Sequence, residues 1–325
     1  MPKPVLLITR KLPEAIEAKA VQNFDARLNP NDDPWFRSGA EIAKRATEAK
    51  ADGVLIAAGD PMHAEAIAAL PASVKVITTF SVGYDHIDVK AAKARGITVT
   101  NTPDVLSFAT AETAMTLMLM AARRAGEGER MVRAGKWEGW APTQLMGVTL
   151  EKKKLGILGF GRIGRELAQM ARGFSMEIHY RDINKVPPEL EQGAIYHDND
   201  DRFLSTIDVI SMHVPGGDAT RKWLNAERLA KMKKGSLVVN SGRGGSVDDE
   251  ALIAALSSGH IRAAGLDVYD GEPVVNPGYM KLENVALLPH LGSATIEVRD
   301  AMGHRALDNL IAVLVEGKDA PHAVR

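Results

Sequence analysis

The sequence predicts an α/β protein of two domains, each built on a parallel sheet. Three observations lead to that expectation. Short β-branched runs alternate with amphipathic stretches at βαβ spacing. The alternation breaks once, at Asn101-Thr-Pro-Asp104, and a second series of the same kind begins at Lys154. A chain of 325 residues is too long for one ordinary hydrophobic core and suits two of common size.

In the first series, strands are expected at 5–9, 53–57, 74–79 and 97–100. Their continuous apolar character is that of strands covered on both faces. Helices are expected between them at 14–23, 39–50, 64–70 and 89–95. After the break, one long helix is expected over 107–134. Met115, Leu117, Met118 and Leu119 make it apolar around much of its circumference, so it is expected to be buried. The stretch 136–150, with Gly, Pro and two Trp residues, reads as an irregular excursion. The second series has expected strands at 155–158, 177–180, 209–213, 237–240, 264–268 and 285–288. Helices fit at 164–173 and 249–259, and a last one at 295–315 ends before Gly317.

Composition narrows the function. Formal net charge is −1, so no global field would recruit nucleic acid or an anionic membrane, and neither is expected as a partner. The absence of cysteine excludes disulfides, thiol catalysis and thiolate metal sites, and no metal is expected. The N-terminus lacks the apolar core of a signal peptide, and the longest apolar run, 114–122, is too short to span a bilayer. A cytoplasmic location is therefore expected.

Leu155-Gly-Ile-Leu-Gly159-Phe-Gly161-Arg-Ile-Gly164 reads as a strand entering G-x-G-x-x-G and then a helix. Gly159 suits a tight turn, Gly161 leaves room for a pyrophosphate, and Gly164 permits close packing of helix on strand. The N-terminus of that helix offers free N–H groups to phosphates. An ordinary tight βα turn would share some of these features. The deciding residue is Asp182, at the end of the next strand and 182 − 164 = 18 residues past the last glycine. An acid about 20 residues on binds ribose hydroxyls in Rossmann-type dinucleotide sites. The same carboxylate would repel a 2′-phosphate, so NAD is expected over NADP. Arg181 leaves an ambiguity, because an arginine beside the acid could pair with that phosphate.

Three later segments hold ionisable candidates. Arg243 follows a strand-like run in Val239-Asn-Ser-Gly-Arg243-Gly, and its planar fork suits a carboxylate or carbonyl oxygen. Asp267 and Glu272 lie in Leu266-Asp267-Val-Tyr-Asp270-Gly-Glu272-Pro, and His290 in Leu287-Leu-Pro-His290-Leu-Gly-Ser-Ala-Thr. Singly, each has a bland reading: a solvated Arg, a turn acid, a structural His. Spacing alone does not bring them together.

These phrases, in this order, resemble the D-isomer-specific 2-hydroxyacid dehydrogenase family. The resemblance extends to Thr79-Phe-Ser81-Val-Gly83-Tyr-Asp-His-Ile-Asp88, Ala109-Thr110-Ala-Glu112 and Arg123-Arg-Ala-Gly-Glu127, and so covers nearly the whole chain. Ala122-Arg-Arg-Ala-Gly-Glu-Gly-Glu129 and Trp137-Glu-Gly-Trp140-Ala-Pro142 are similar to its glycerate dehydrogenase (hydroxypyruvate or glyoxylate reductase) branch. The pair Ser241-Gly242 departs from the commoner Thr-Ala of the family, and Asp270-Gly271 stands where many members carry more acids. Neither departure removes an ionisable candidate.

The resemblance implies two Rossmann-like domains, with a dinucleotide-binding domain near 102–289 inserted in a split substrate domain near 1–101 and 290–325. It implies that Arg243 binds the substrate carboxylate and polarises the keto group, that the loop Ser81, Val82 and Gly83 holds the carboxylate through backbone N–H groups, and that His290 is the general acid for reduction and base for oxidation. Glu272 would hydrogen-bond the other imidazole nitrogen. A carboxylate there favours the imidazolium form, so a raised His290 pKa is expected. Hydride arriving at a keto carbon develops charge on oxygen, which a proton donor and a guanidinium stabilise. The implied cofactor contacts are Thr110, Gly159, Gly161, Arg162, Ile163, Gly164, Asp182, Val214, Pro215, Thr220, Ser241, Gly242, Asp267 and Ser293. Asp267 would accept from the nicotinamide carboxamide; a turn acid is its alternative. Trp140 would narrow the substrate site of a partner subunit, or else anchor its own loop. The apolar helix after Asn101 resembles the element that forms the family's dimer, so a homodimer is expected. The implied substrate is a small 2-keto or 2-hydroxy acid such as glyoxylate or hydroxypyruvate. Two alternatives stay open: a formate dehydrogenase of the same fold, disfavoured because that group carries Gln where Glu272 stands, and a non-catalytic NAD-sensing corepressor.

Overall fold

The computed structural model describes residues 2–324. These form two compact units, one of residues 2–106 with 294–324 and one of 107–293. The first holds a five-stranded sheet of β1 (Val5–Ile8), β2 (Asp25–Arg27), β3 (Gly53–Ala57), β4 (Val76–Phe80) and β5 (Thr98–Thr100), in the order β2-β1-β3-β4-β5. The second holds a seven-stranded sheet of β6 (Lys154–Leu158), β7 (Glu177–Arg181), β8 (Ile195–Tyr196), β9 (Val209–Met212), β10 (Ser236–Asn240), β11 (Ile261–Leu266) and β12 (Val285–Leu287), in the order β12-β11-β10-β9-β6-β7-β8. Every pairing within both sheets is parallel. In each sheet the order reverses once, at β1/β3 and at β6/β9, and such a switch point opens a crevice at the carboxyl ends of the strands.

Central strands are apolar because helices cover both faces. All five residues of β4 and of β10 are buried. Each expected strand is present within two residues of its expected bounds, except that β11 begins three residues before the expected 264–268. Two strands were not expected, β2 and β8. Both are sheet edges of three and two residues with exposed positions, and so short an edge strand has no periodic signal to read.

The expected long helix is two. Ser107–Arg123 is followed by Ala125–Arg133, with Arg124 between them at φ 53. The left-handed residue is held by its own side chain, which donates to both oxygens of Glu127 at 2.8 and 2.9 Å. Gly126 and Gly128 weaken the helix on the far side of the break. Ser107–Arg123 buries nine residues and lies against β10, β11 and the helix Arg162–Arg172. Its approach to β11 depends on Gly265, where a Cβ would sit 2.8 Å from the Leu117 Cβ. Ala125–Arg133 buries none. In the first unit, the final helix Ile296–Leu314 is capped by the Thr295 hydroxyl, which accepts from Val298 N at 3.2 Å, and it packs on β4 and the helix Glu14–Asn23. Among the described residues no helix is long and apolar enough to cross a membrane.

Candidate active site

The glycine phrase lies at the switch point of the second sheet. Gly159 follows β6 at φ +89, and a Cβ there would lie 2.8 Å from the His213 carbonyl oxygen, so both conformation and space require glycine. Above Gly161 a Cβ would meet nothing within 4 Å, which leaves the loop open to a ligand. A Cβ on Gly164 would collide with the Gly159 carbonyl, because the helix Arg162–Arg172 starts directly against the loop.

Asp182, just after β7, accepts from Phe160 N and Ile183 N, both at 2.7 Å, and so ties the glycine loop to the end of β7. Arg181 is engaged elsewhere. Its Nε donates to Asp200 at 2.7 Å, its Nη1 donates to the Asp182 carbonyl, and Arg228 holds the other Asp200 oxygen at 3.1 Å. The carboxylate thus faces the loop while the guanidinium is drawn into an ion-pair network.

Past the switch point, β10 leads into Ser241, whose hydroxyl is buried and has no hydrogen-bond partner. A buried hydroxyl left without a partner costs about 1–3 kcal/mol, and a ligand group would remove that cost. The open loop at Gly161, the helix N-terminus, the Asp182 carboxylate and the unpaired Ser241 hydroxyl together fit a dinucleotide.

His213, after β9, adds a group that the sequence did not single out. Its Nε2 pairs with the Ser211 hydroxyl at 2.8 Å, and its Nδ1 is sealed without a partner. Burial lowers its pKa from 6.5 to about 4. The fold therefore prefers the neutral ring. Stability from this group is fully present above pH 6.5 and is lost as pH falls towards 4, amounting to at most about 3 kcal/mol. Buried His179 and His197 are lowered in the same direction, by desolvation first. Unfolding midpoints measured from pH 7 to 4.5 are expected to fall, and a His213→Phe variant to fall less steeply. Parallel curves for the two proteins would show that His213 does not titrate in this way.

Arg243, Glu272 and His290 lie on the loops that follow three adjacent strands, β10, β11 and β12. Asn240, at the end of β10, shapes the first loop: its Oδ1 accepts from Gly242 N at 3.0 Å and its Nδ2 donates to the Arg243 carbonyl at 2.9 Å. The Ser246 hydroxyl donates to the same carbonyl at 2.6 Å. Gly244 then passes so close to the peptide joining Tyr269 and Asp270 that a Cβ would overlap it. On the β11 loop, Glu272 Oε2 accepts from Tyr269 N at 3.3 Å, and the Tyr269 hydroxyl bridges the carbonyls of Leu266 and Leu288 at 3.1 and 2.8 Å, joining the β11 and β12 ends.

His290 Nδ1 lies 2.6 Å from Glu272 Oε1. Burial alone would raise the Glu272 pKa, but the hydrogen bond and charge of His290, with the Arg243 guanidinium adding to them, outweigh it and hold the carboxyl below its usual range. His290 itself sits at φ 57, a left-handed conformation costing about 1–3 kcal/mol in a residue with a side chain. Asp267 sustains it. This fully buried acid accepts His290 N on its carbonyl at 2.9 Å, and Leu291 N and Gly292 N on its carboxylate at 2.6 and 2.8 Å. Thr110 Oγ1 donates to the Gly292 carbonyl at 3.0 Å. Asp267 and Thr110, expected as cofactor contacts, thus first position the loop that carries the imidazole. Burial raises the Asp267 pKa against those two backbone N–H bonds.

In the first unit, the loop after β4 presents an anion-binding pattern. The Ser81 carbonyl accepts from Thr102 N at 2.9 Å, that of Val82 from Asn101 Nδ2 at 2.8 Å, and that of Gly83 from Ser81 Oγ at 2.6 Å. With all three carbonyls occupied, the N–H groups of Val82 and Gly83 donate to nothing among the described residues. Successive unpaired backbone N–H groups form a nest for an anion.

The other expected contacts lie about the second sheet. Arg162 and Ile163 open the helix after Gly161, Val214 and Pro215 follow β9, and Gly242 and Ser293 flank Arg243 and Gly292 in sequence. The Thr220 hydroxyl closes the loop after β9 by donating to the Pro215 carbonyl at 2.6 Å. Trp140 is 80% exposed, so its own chain does not pack it as an anchor. Asn240, Gly244 and His213 were not singled out in the sequence. The asparagine and glycine stand on either side of Ser241-Gly-Arg243, and that flanking pattern was the available signal. Among the described residues no cluster of His, Asp and Glu could hold a metal ion.

Comparison with known proteins gives one consistent answer. The family profile for the NAD binding domain of D-isomer specific 2-hydroxyacid dehydrogenases matches residues 115–292. A glycerate dehydrogenase of Hyphomicrobium methylovorum is 42% identical, with 100% of both chains covered. A glyoxylate reductase of Thermococcus litoralis is 40% identical over 99% of this chain and 97% of its own. Among solved structures, an NADPH-dependent glyoxylate/hydroxypyruvate reductase of Sinorhizobium meliloti, in complex with NADP and malonate, superposes with a TM-score of 0.87 at 32% identity, over 99% of this chain and 97% of that one.

Proposed function

The chain belongs to the D-isomer-specific 2-hydroxyacid dehydrogenase family, and from that premise we propose that it is an NAD(H)-dependent oxidoreductase interconverting glyoxylate or hydroxypyruvate with the corresponding D-2-hydroxy acid. The observation that supports it best is the 2.6 Å pair of His290 Nδ1 and Glu272 beside Arg243.

NADH, when bound, supplies the hydride that reduces the keto carbon. The protein supplies the proton and holds the charge. Glu272 is a carboxylate and only accepts, so His290 Nδ1 carries a hydrogen and donates it to Oε1. The working nitrogen is then Nε2. In the imidazolium form Nε2 donates its proton to the oxygen that becomes the hydroxyl, and in the neutral form its lone pair takes that proton back during oxidation. Reduction is therefore favoured on the acid side and oxidation on the alkaline side. Arg243 polarises the keto group and stabilises the developing negative charge. The N–H groups of Val82 and Gly83 receive the carboxylate. Oxidation of formate exchanges no hydroxyl proton and has no use for an acid–base pair, so the pair favours the hydroxyacid reading.

The test is NADH absorbance with purified protein offered glyoxylate, hydroxypyruvate, pyruvate and a bulky 2-keto acid. Turnover with the small acids, lost in Arg243→Ala, is expected. Tight NADH binding without turnover of any of them would move the reading to the sensor class.

We also propose NAD over NADP, from the engagement of Arg181 by Asp200 and the exposure of Asp182 to the glycine loop. Asp182→Ala is expected to lower kcat/KM for NADH about 10–100-fold, the worth of a charge-assisted hydrogen bond, and to narrow the gap to NADPH. A wild type that prefers NADPH would overturn this. The protein is proposed to work in the cytoplasm as a symmetric homodimer, with the exposed Trp140 completing the substrate site of the partner subunit. Trp140→Ala is then expected to extend turnover to bulkier 2-keto acids, and an unchanged substrate profile would remove that role.

A further inference from the structure

The carboxylate-binding loop after β4 is held by a chain of side-chain hydrogen bonds whose direction is forced. Ser81 Oγ lies 2.6 Å from the Gly83 carbonyl oxygen. Two acceptors do not approach so closely, so the hydroxyl proton of Ser81 points at that carbonyl. Ser81 Oγ also lies 2.7 Å from Thr79 Oγ1. Its proton is already committed, so it accepts there and Thr79 donates. Thr79 Oγ1 in turn lies 3.1 Å from His86 Nε2. The threonine proton is spent on Ser81, so Thr79 accepts and His86 Nε2 carries the hydrogen. Only one assignment satisfies all three contacts: His86 Nε2–H to Thr79, Thr79 to Ser81, Ser81 to the Gly83 carbonyl.

The far end of this chain is rigid. Thr79 lies in β4, a central strand with every residue buried. The His86 backbone is fixed by Met62 N, which donates to its carbonyl at 2.9 Å, while Asp88 N returns a bond to the Met62 carbonyl at 2.9 Å. The near end is the turn 81–83, which carries the two donors. The Ser81 Oγ bond to the Gly83 carbonyl closes a ring around the Ser81–Val82 and Val82–Gly83 peptides, whose N–H groups are the two donors without an internal partner. If the Ser81 hydroxyl were free to rotate, the ring would open, the turn 81–83 would loosen, and the two donors would lose their common aim.

We propose that His86 is a positioning residue for the substrate carboxylate, acting through Thr79 and Ser81 on the turn 81–83. The inference rests on the reading that Val82 and Gly83 receive that carboxylate. His86 touches neither substrate nor cofactor in this role.

The test uses the full-length protein with NADH and glyoxylate or hydroxypyruvate. Thr79→Val cuts the chain at constant size, and His86→Leu removes its first donor at a half-buried position should the valine variant not fold. Both are expected to raise KM for the keto acid about tenfold, the scale of one misdirected charge-assisted hydrogen bond. kcat is expected to change less than about twofold, and NADH affinity, followed by fluorescence, to stay constant, since a ground-state binding contact is what is lost. Thr79→Ser and His86→Gln, which restore a hydroxyl and an N–H donor, are expected to return KM to within about twofold of wild type. An unchanged KM in folded Thr79→Val and His86→Leu overturns the proposal, as does a loss of kcat and NADH affinity together, or a failure of both conservative variants to rescue. A wild-type protein that turns over no 2-keto acid overturns the underlying reading instead, before any variant is compared.

Discussion

Replacing His290 with alanine is expected to lower kcat for keto-acid reduction by about 10²–10⁴-fold, the usual worth of a positioned general acid, with NADH affinity retained. The geometry gives the reason. Nδ1 is committed to Glu272 at 2.6 Å, so one nitrogen orients the ring and, in the proposed mechanism, the other exchanges the proton. The left-handed backbone at residue 290, held from three sides by Asp267, aims the ring, and alanine would keep the backbone bonds while removing the proton carrier. Stopped-flow hydride transfer with NADH prebound would isolate the step. A His290→Ala enzyme within tenfold of wild type would move the proton elsewhere.

The partner of His290 carries a pH signature. Glu272 is held below the usual carboxylate range by the imidazole and Arg243, against the opposing effect of burial. A depressed carboxylate keeps its charge above its ordinary pKa and loses it only as pH falls through the lowered value, so the pair persists through the mildly acidic range. Glu272→Gln can still accept from Nδ1 but supplies no charge to the imidazolium. Its reduction rate is therefore expected to fall away at a lower pH than that of wild type on the alkaline side. Superimposable pH profiles for the two proteins would remove the electrostatic role of Glu272.

Gly244→Ala is expected to cost about 3 kcal/mol and to lower kcat/KM about 10²-fold. Its Cβ would overlap the Tyr269–Asp270 peptide, which is backbone and cannot rotate aside. Either the Arg243 loop or the Glu272 loop must retreat, and the two functional groups move apart. Because Tyr269 also pins Leu266 and Leu288, the displacement reaches the end of β12 and the loop carrying His290. Thermal unfolding and steady-state kinetics together check this. A variant with wild-type kcat/KM would mean that the two loops tolerate separation.

Several features could be read from the chain itself because their signals are local. Runs such as Val-Leu-Ile-Ala at 54–57 and Leu-Val-Val at 237–239 announce buried parallel strands, and the strand–glycine–helix phrase ending in Asp182 announces a dinucleotide site without any knowledge of neighbours. Edge strands β2 and β8 were illegible, since two or three partly exposed residues have no period. The break at Arg124 was hidden by continuous helical patterning, and only the ion pair with Glu127 shows why the chain turns there. The surroundings of Arg181 could not be read from sequence, because its guanidinium is held by Asp200, 19 residues away.

The order of strands made the largest difference. In sequence, Arg243, Glu272 and His290 were three separate candidates with bland alternatives, associated only by resemblance to a family. Composition and spacing specify each loop, but interstrand hydrogen bonds decide which strands are neighbours. By itself the sequence determined the fold class, the glycine phrase with its acid, and the identity of the ionisable groups. Tertiary structure alone decided that those groups meet, because β10, β11 and β12 pair side by side and in parallel, and parallel neighbours deliver their following loops to the same end of the sheet.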